Sequence, residues 1–258
     1  MKPDFKFLEY ASADGLLSIT LARPPLHILD IAMIDELVAA IDMAAADASG
    51  KLLTLSATGE KSFCAGVDVA DHAPERAARM LEVFHAALLR LHDFPLPTLA
   101  VLNGSAIGGG CELALACDMA IACDDIRLGQ PEIRLGVFAP AASILLPQRL
   151  ALPKAIELLL GGGLIDTAEA QELGLLNKVV PRAAFATATR DFVTPFLAQS
   201  RVALLHARRA IRVAAGKSLA EALPEVERIY LQETMQTADA REGLAAFREK
   251  RAPRWSNR

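Results

Sequence analysis

Short apolar runs alternate with longer segments of helix-spaced apolar residues through the first half of this chain. The first two runs are separated by Ser12-Ala-Asp-Gly15, which predicts a β-hairpin because glycine supplies the positive φ of a tight turn. Asp30 precedes apolar residues at three- and four-residue spacing, the pattern of an N-capped amphipathic helix. The predicted strands are 5–10, 16–22, 51–57, 98–102, 119–123 and 177–180. The alternation indicates an α/β layer, and from Ala141 onward the pattern is almost entirely helical.

The amino-acid composition excludes several classes of protein. With 53% apolar and 22% charged residues, 258 residues can bury a sizeable core, which excludes intrinsic disorder. A net charge of −4 argues against a protein that coats nucleic acid. The N-terminal segment lacks a signal-peptide apolar region, and no run approaches the roughly 18 apolar residues of a membrane helix. The four cysteines include no C-x-x-C pair. We therefore expect a cytoplasmic protein with reduced thiols, no metal and no membrane partner.

Two glutamates each follow a glycine-containing turn that opens a helical segment. Glu112 ends Gly108-Gly-Gly-Cys-Glu, and Glu132 ends Gly129-Gln-Pro-Glu. Apolar neighbours raise a carboxyl pKa by desolvation while helix N-terminal amides lower it, which suits proton transfer near neutral pH. Either glutamate alone also fits the ordinary preference of acidic residues for a first helical turn. Because a strand between them could return both to one end of the sheet, we interpret them as a candidate catalytic pair.

Glycines beside these glutamates indicate a second element of a site. A backbone without Cβ lets a ligand approach closely and aims N–H groups at developing negative charge. The segment Gly104-Ser-Ala-Ile-Gly-Gly-Gly110 matches neither the P-loop nor the dinucleotide-binding pattern, so a phosphate loop is not expected. In the loop Ser62-Phe-Cys-Ala-Gly-Val-Asp68, the Gly66-Val67 peptide is a candidate for half of an oxyanion hole. An ordinary strand-to-helix connection is the alternative.

Four motifs in order resemble those of the crotonase (enoyl-CoA hydratase/isomerase) superfamily. They are Phe63-Cys-Ala-Gly-Val-Asp68, Asn103-Gly-Ser-Ala-Ile-Gly-Gly-Gly-Cys-Glu-Leu113, Cys117-Asp118 and Gly129-Gln-Pro-Glu-Ile-Arg-Leu-Gly136. The resemblance spans nearly the whole chain. It implies an α/β fold, with a crotonase-like spiral of ββα units over residues 1–195 and a C-terminal helical trimerisation region over 196–258. It also implies a homotrimer or a homohexamer built as a dimer of trimers.

The same resemblance implies an acyl-CoA thioester substrate, so that CoA is part of the substrate and no separate cofactor is needed. By position, the backbone N–H groups of Val67 and Gly109 would hold the thioester oxygen. Glu112 and Glu132 match the two carboxylates with which the family's hydratases activate water and move a proton. The other candidate substrate- and CoA-binding residues are Ala65, Asp68, Asp71, His72, Val137, Phe138 and Lys250, of which the last would reach the CoA of a neighbouring subunit.

The segment after Glu132 departs from the family pattern. Where the family has Pro-Gly-x-Gly-Gly before Gln-Arg-Leu, this chain has Val137-Phe-Ala-Pro-Ala-Ala-Ser-Ile-Leu-Leu-Pro147. The glycine corner is lost, so we expect an acyl pocket unlike that of a straight-chain enoyl-CoA hydratase. Together with Gly66-Val-Asp-Val-Ala-Asp-His-Ala-Pro-Glu75, this segment resembles the cyclohexa-1,5-diene-1-carbonyl-CoA hydratases of anaerobic benzoyl-CoA breakdown.

Alternative functions fit fewer of these features. A double-bond isomerase needs only one carboxylate, whereas a straight-chain enoyl-CoA hydratase would use both. A non-catalytic RNA-binding relative requires a basic surface, which an acidic chain disfavours. His72 could contact substrate or a catalytic water, or be an ordinary loop histidine, and His85 and His92 lack the accompanying carboxylates of a metal site. A basic helical run could contact CoA phosphates or RNA, although a solvated face is commoner; it comprises Arg201, Arg208, Arg209 and Arg212.

Overall fold

The computed structural model describes residues 5–258. Its strands are β1 (Leu8–Ala13), β2 (Leu16–Leu21), β3 (Leu52–Ala57), β4 (Ser62–Cys64), β5 (Thr98–Leu102), β6 (Ser105–Ile107), β7 (Met119–Cys123), β8 (Arg127–Gly129), β9 (Leu164–Asp166) and β10 (Lys178–Val180). Its α-helices are α1 (Ile31–Ala46), α2 (Pro74–His92), α3 (Gly109–Ala116), α4 (Ala142–Arg149), α5 (Leu152–Gly161), α6 (Thr167–Glu172), α7 (Phe185–Leu197), α8 (Arg201–Ala214), α9 (Leu219–Arg228) and α10 (Ala238–Glu249).

Six strands form the larger sheet, in the order β1-β2-β3-β5-β7-β10. The first two form the predicted antiparallel hairpin, and all other neighbours in this sheet pair in parallel. The residues of β3, β5 and β7 are almost all buried, as expected where a parallel sheet is covered on both faces. The continuous apolar runs that predicted these three strands are therefore the centre of the core.

A smaller sheet has the order β4-β6-β8-β9, and its first three strands run parallel. In three consecutive segments one strand joins the larger sheet and the next joins the smaller: β3 with β4, β5 with β6, and β7 with β8. A helical segment follows each pair, which confirms the predicted spiral of ββα units. Because β4, β6 and β8 are parallel, the loops that follow them leave the same edge of the smaller sheet.

One aspartate caps helix α1, and a second aspartate ties the loop after β4 to that helix. Asp30 caps α1, as predicted, by accepting a hydrogen bond from the Met33 amide at 2.9 Å. Asp71 is almost fully buried and accepts from the Ile31 amide at 3.1 Å. Its carboxylate also pairs with Arg76 at 2.6 Å. These contacts fix the path of residues 65–72, the segment that was predicted to line the substrate site.

Helix α8 is attached to the core through Asp118, which directly precedes β7. The carboxylate accepts from Arg208 Nε at 2.8 Å and from Arg212 Nη2 at 2.6 Å. It also accepts from the Thr98 amide at 2.9 Å. Burial opposes ionisation, but the hydrogen bonds and charges of the arginines lower the pKa of the Asp118 carboxyl below its ordinary value. The expectation of a solvated basic face is therefore wrong for Arg208 and Arg212.

The C-terminal helices keep much of their apolar surface exposed. The side chain of Phe247 is 85% exposed and that of Leu219 is 76% exposed. The other large apolar side chains that α8–α10 and their connections expose are Ile211, Leu223, Tyr230, Leu231 and Leu244. The predicted division after residue 195 falls within the last turn of α7 and stays a prediction.

Two further expectations concern the whole chain. Within residues 5–258, no helix combines the length and the apolar character that a membrane span requires. The four cysteines are free and buried, and burial raises the pKa of the Cys64, Cys111 and Cys117 thiols to about 12. Thiols with such pKa values stay protonated at neutral pH and are poor nucleophiles.

Candidate active site

The loops after β4, β6 and β8 enclose a cavity of about 120 Å³. Each loop brings one part of the predicted constellation: Val67 follows β4, Gly109 follows β6, and Glu132 follows β8. Glu112, one turn into α3, faces the same cavity. The two glutamates and the two candidate amides, separated by up to 65 positions in the chain, therefore line one space.

Glu112 is buried in the first turn of α3, with 4% of its surface exposed. Its Oε1 accepts a hydrogen bond from the Ala142 amide at 2.8 Å, which connects α3 to the start of α4. Desolvation raises the pKa of this carboxyl to about 7, against the Ala142 hydrogen bond, which lowers it, and with a smaller contribution from the charge of Glu132. Near pH 7 the Glu112 carboxyl can therefore both hold and release a proton.

Glu132 opens the 3₁₀ turn Glu132–Leu135 that follows β8. Burial raises its pKa, while its own backbone N–H and the nearby His72 act in the opposite direction. The Gln130 amide is buried and, with its nitrogen turned toward Glu132, donates to both carboxylate oxygens at 3.1 and 3.2 Å. Glu132 is thus held in a fixed orientation at the cavity wall.

Backbone amides of Val67 and Gly109 border the same cavity. In a parallel bridge to Leu29, the Leu29 amide donates to Gly66 O and the Asp68 amide donates to Leu29 O, both at 2.9 Å. This pattern turns the Val67 amide away from Leu29. Gly109 is the first residue of α3, where a backbone amide has no helical acceptor. Both N–H groups are thus available to an oxygen in the cavity.

Glycine is required at two positions of this wall. Gly108 has φ of +56°, and a Cβ added there would overlap the Glu132 carboxylate. A Cβ on Gly109 would lie 2.9 Å from Val67 Cγ2 and 3.3 Å from the Val67 nitrogen. The second distance shows that the Val67 backbone nitrogen lies beside Gly109, so a side chain at this position would crowd the candidate oxyanion hole.

The structure brings some of the other predicted residues to the cavity and places the rest elsewhere. Ala65, His72 and Phe138 line it. The His72 ring is oriented by its Nδ1, 3.0 Å from the Asp68 carbonyl oxygen. Asp68, Asp71, Val137 and Lys250 are not among the lining residues. The Asp68 carboxylate caps the following turn by accepting from the Ala70 amide, and Lys250 ends α10 in the left-handed conformation.

Several lining residues escaped the sequence interpretation. Met80, Phe84 and His85 reach the cavity from α2, whereas Pro140, which also lines it, lies in the segment that was predicted to shape the acyl pocket. Gln130, which contacts Glu132 but does not line the cavity, had a usable signal, because it lies two residues before Glu132 in the same motif. His85 had none, since only the packing of α2 against the loops places it at the site.

Comparison with known proteins identifies the family. The model of the enoyl-CoA hydratase/isomerase family matches residues 11–258. This chain belongs to the enoyl-CoA hydratase/isomerase family. It is 40% identical, over 95% of its own length and 95% of the relative's, to a cyclohexa-1,5-dienecarbonyl-CoA hydratase of Thauera aromatica. It is 36% identical to a probable enoyl-CoA hydratase of Mycobacterium bovis, over 93% of this chain and 94% of the relative.

Solved structures of enoyl-CoA hydratases share the fold of this family member. The enzyme of Bacillus anthracis superposes with a TM-score of 0.93 at 29% identity, covering 98% of this chain and 100% of the other. That of Mycobacterium smegmatis gives 0.92 at 28% identity, with coverages of 97% and 99%. The resemblance inferred from the motifs and the prediction of an enzyme of the hydro-lyase class are both confirmed.

Proposed function

We propose that this family member hydrates cyclohexa-1,5-diene-1-carbonyl-CoA in the anaerobic degradation of benzoyl-CoA. The observation that carries the hydration chemistry is the meeting of Glu112, Glu132 and the Val67 and Gly109 amides around one cavity. The 40% identity to the Thauera aromatica hydratase supports the cyclic diene as the acyl group. The replaced glycine corner supports it too, because Phe138 and Pro140 line the cavity there.

In the proposed reaction the thioester oxygen accepts hydrogen bonds from the Val67 and Gly109 amides. One carboxylate removes a proton from water as the water oxygen bonds to the β-carbon of the conjugated system. The electrons move through the α-carbon to the thioester oxygen, where the two N–H groups stabilise the enolate-like charge. The other carboxyl group delivers a proton to a second carbon of the conjugated system, which also becomes saturated. The pair must therefore share one proton at the start, which a Glu112 pKa of about 7 allows.

Shape supports the choice of a compact acyl group. The catalytic cavity is about 120 Å³, and Phe84, Phe138 and Pro140 contribute apolar wall to it. Proline restricts the backbone of this wall, so the slot is largely formed before substrate binds. A flat ring that fits such a slot loses less conformational freedom on binding than a flexible chain does.

The experiment that tests this function compares two substrates with the purified protein. We expect kcat/KM for cyclohexa-1,5-diene-1-carbonyl-CoA to exceed that for crotonyl-CoA by roughly 100-fold or more, because misplacement of the reacting carbon adds a transition-state penalty to the loss of fit. Equal or faster turnover of crotonyl-CoA would assign the chain to straight-chain enoyl-CoA hydration. Movement of a double bond without uptake of water would assign it to isomerisation.

We also propose that the protein is a homotrimer or a dimer of trimers in the cytoplasm and needs no cofactor besides the CoA of its substrate. The exposed apolar side chains of α8–α10, with Phe247 at 85% exposure, support burial against another copy of the chain. Lys250, at the end of α10, would reach the CoA of the neighbouring subunit. Light scattering coupled to gel filtration tests the assembly: a monomer at micromolar concentration would contradict it.

A further inference from the structure

The oxyanion loop, residues 64–68, is hydrogen-bonded to the segment of chain just before α1. The Leu29 amide donates to Gly66 O, and the Asp68 amide donates to Leu29 O, both at 2.9 Å. Gly66 O and the Val67 N–H belong to one planar peptide group and point in opposite directions. The bond from Leu29 therefore aims the Val67 N–H group away from that segment, and Val67 lines the catalytic cavity.

His27, two residues before Leu29, is buried with only 1% of its surface exposed. Its backbone has φ of +51°, in the left-handed region. Few residues other than glycine adopt this conformation, although asparagine, aspartate and histidine do so more often than most. Such a conformation persists only where the surrounding contacts hold it, so the neighbours of His27 are the next observation.

The ring and the backbone of His27 contact different parts of the fold. The imidazole Nε2 lies 3.1 Å from Thr58 Oγ1, directly after β3 of the larger sheet. The His27 carbonyl oxygen accepts from the Cys64 thiol at 3.1 Å, and the preceding Leu26 O accepts from the Ala65 amide at 2.9 Å. His27 therefore connects the larger sheet to the oxyanion loop. Burial lowers the pKa of its imidazole, so the ring is neutral at pH 7.

We propose that His27 is a positioning residue for the oxyanion hole: anchored on Thr58, it holds the oxyanion loop so that the Val67 N–H group points at the thioester oxygen. The inference rests on the proposed binding of a thioester at the Val67 and Gly109 amides. His27 acts through the loop, because it is not among the residues that line the catalytic cavity.

The expected signature is a loss of turnover without a loss of substrate binding. Negative charge on the thioester oxygen grows as the enolate forms, so a misdirected N–H donor costs more in the transition state than in the bound substrate. Loss of the contact between His27 and Thr58 should therefore lower kcat and leave KM nearly unchanged.

Steady-state kinetics of Thr58→Val test this role, because valine preserves the shape of threonine and removes the hydroxyl that His27 contacts. Its kcat should fall roughly 10-fold, less than the roughly 10²–10³-fold that follows complete loss of an oxyanion donor, with KM within about twofold of wild type. Thr20→Val is the matched control. It also removes a threonine hydroxyl, but the 3.0 Å contact of Thr20 is with Ser56 and joins two strands of the sheet. Its kcat should stay within about twofold of wild type.

Two substitutions of His27 separate the contact with Thr58 from the backbone conformation. The side-chain amide of glutamine lies at about the distance of the imidazole Nε2 and can bond Thr58, whereas asparagine tolerates the positive φ but is too short to reach that hydroxyl. His27→Gln should keep kcat within about threefold of wild type, and His27→Asn should lose about as much as Thr58→Val. The double variant His27→Asn/Thr58→Val should lose no more than either single variant, because both remove one contact.

Infrared difference spectroscopy of bound butyryl-CoA reports on the oxyanion hole without turnover. Hydrogen bonds lower the stretching frequency of a carbonyl group, so wild type should move the thioester band below its position in free butyryl-CoA. The displacement should shrink in Thr58→Val and His27→Asn and persist in Thr20→Val and His27→Gln. Urea denaturation of each variant provides the stability against which these changes are compared.

The outcomes distinguish this role from the proposed function. A wild-type band that does not move would refute the oxyanion hole, and with it the proposed function. A band that moves equally in wild type, Thr58→Val and His27→Asn, or full kcat in the latter two, would overturn the role of His27 alone. Losses of kcat that His27→Gln shares, or that only follow the loss of stability, would also overturn it, since they would show a purely structural residue.

Discussion

The catalytic cavity and the C-terminal helices differ in how far a single chain buries their residues. All eight residues of α3, including Glu112, are buried, and the Glu112 carboxylate is hydrogen-bonded within the same chain. None of the fourteen residues of α8 is buried, although the helix is amphipathic, and Phe247 on α10 is 85% exposed. The candidate catalytic groups are therefore assembled inside the ββα spiral, whereas the C-terminal helices retain an apolar surface that is typical of a subunit interface.

The largest expected effect is a loss of turnover, without a loss of folding, when either glutamate of the cavity is replaced. Glu112→Gln and Glu132→Gln should each lower kcat by on the order of 10²–10⁴, because each removes a proton-transfer group while preserving its shape. Steady-state kinetics with the preferred thioester provide the measurement. The double variant should lose much less than the product of the two single effects, since the two groups act on one water.

Circular dichroism and the elution volume in gel filtration are the controls for this pair of variants. Both should match wild type, because the substitutions leave the C-terminal helices untouched. Nearly full activity in either single variant would remove that glutamate from the mechanism and leave one carboxylate, as an isomerase would use.

The backbone at the cavity should be the next most sensitive element. Gly109→Val places a branched side chain where a Cβ alone would already lie 2.9 Å from Val67 Cγ2. We expect kcat to fall roughly 10²–10³-fold, the usual consequence of losing an oxyanion donor. Gly136→Ala is a useful control in the same region, because no atom lies within 4 Å of a Cβ added there. Its φ of +77° should reduce stability by about 1 kcal/mol or more, and its kcat should stay within a few-fold of wild type.

Substitutions at the contact of Asp118 with helix α8, which connects the two regions, should lower the free energy of unfolding. Arg208→Ala removes one partner of Asp118, whose side chain is 19% exposed, and should lower the free energy of unfolding by about 2–4 kcal/mol. Arg90→Ala breaks the more exposed pair with Asp42 and should cost less than about 1 kcal/mol. Urea denaturation followed by circular dichroism measures both. Equal losses in the two variants would show that Asp118 does not anchor α8 to the core.

The sequence predicted elements whose periodicity extends over several residues. Apolar spacing located α1 and α2, and continuous apolar runs located β5 and β7 with the bounds that the structure shows. The strands β4, β6, β8 and β9 were missed because each has three residues, too few for an alternating pattern to show, although the equally short β10 was predicted. The ββα repeat was therefore expected from family resemblance and not from periodicity.

The site was predictable where chemistry and backbone geometry coincide in the sequence. Glu112 and Glu132 were identified because each carboxylate stands beside a glycine turn, and the structure places both at one cavity. Asp71 also lies in a motif, but its carboxylate binds the Ile31 amide and Arg76. A motif does not state which way a side chain points. His85 reaches the cavity only through the packing of α2, which no local pattern records.

Burial of Glu112 should make the catalytic region, and not the C-terminal helices, responsible for a loss of stability as pH rises. Its folded-state pKa of about 7 exceeds the ordinary value of 4.5, so between these pH values the folded protein binds more protons than the unfolded chain. The contribution of Glu112 to the free energy of unfolding must therefore fall with rising pH in this window and level off above pH 7. The total change attributable to Glu112 is at most about 3.5 kcal/mol, at 1.4 kcal/mol per unit of pKa shift.

Urea denaturation at pH 5 and pH 8, without ligand, should show this decline in wild type and a smaller decline in Glu112→Gln, which cannot ionise. At pH 8 the variant should consequently be more stable relative to wild type than it is at pH 5. Glu227→Gln, on the exposed surface of α9, is the matched control and should follow wild type at both pH values. A Glu112→Gln variant with the full wild-type decline would mean that the carboxylate is ionised at little cost. Proton sharing between Glu112 and Glu132 would then have to depend on bound substrate, which excludes water from the cavity and raises both pKa values.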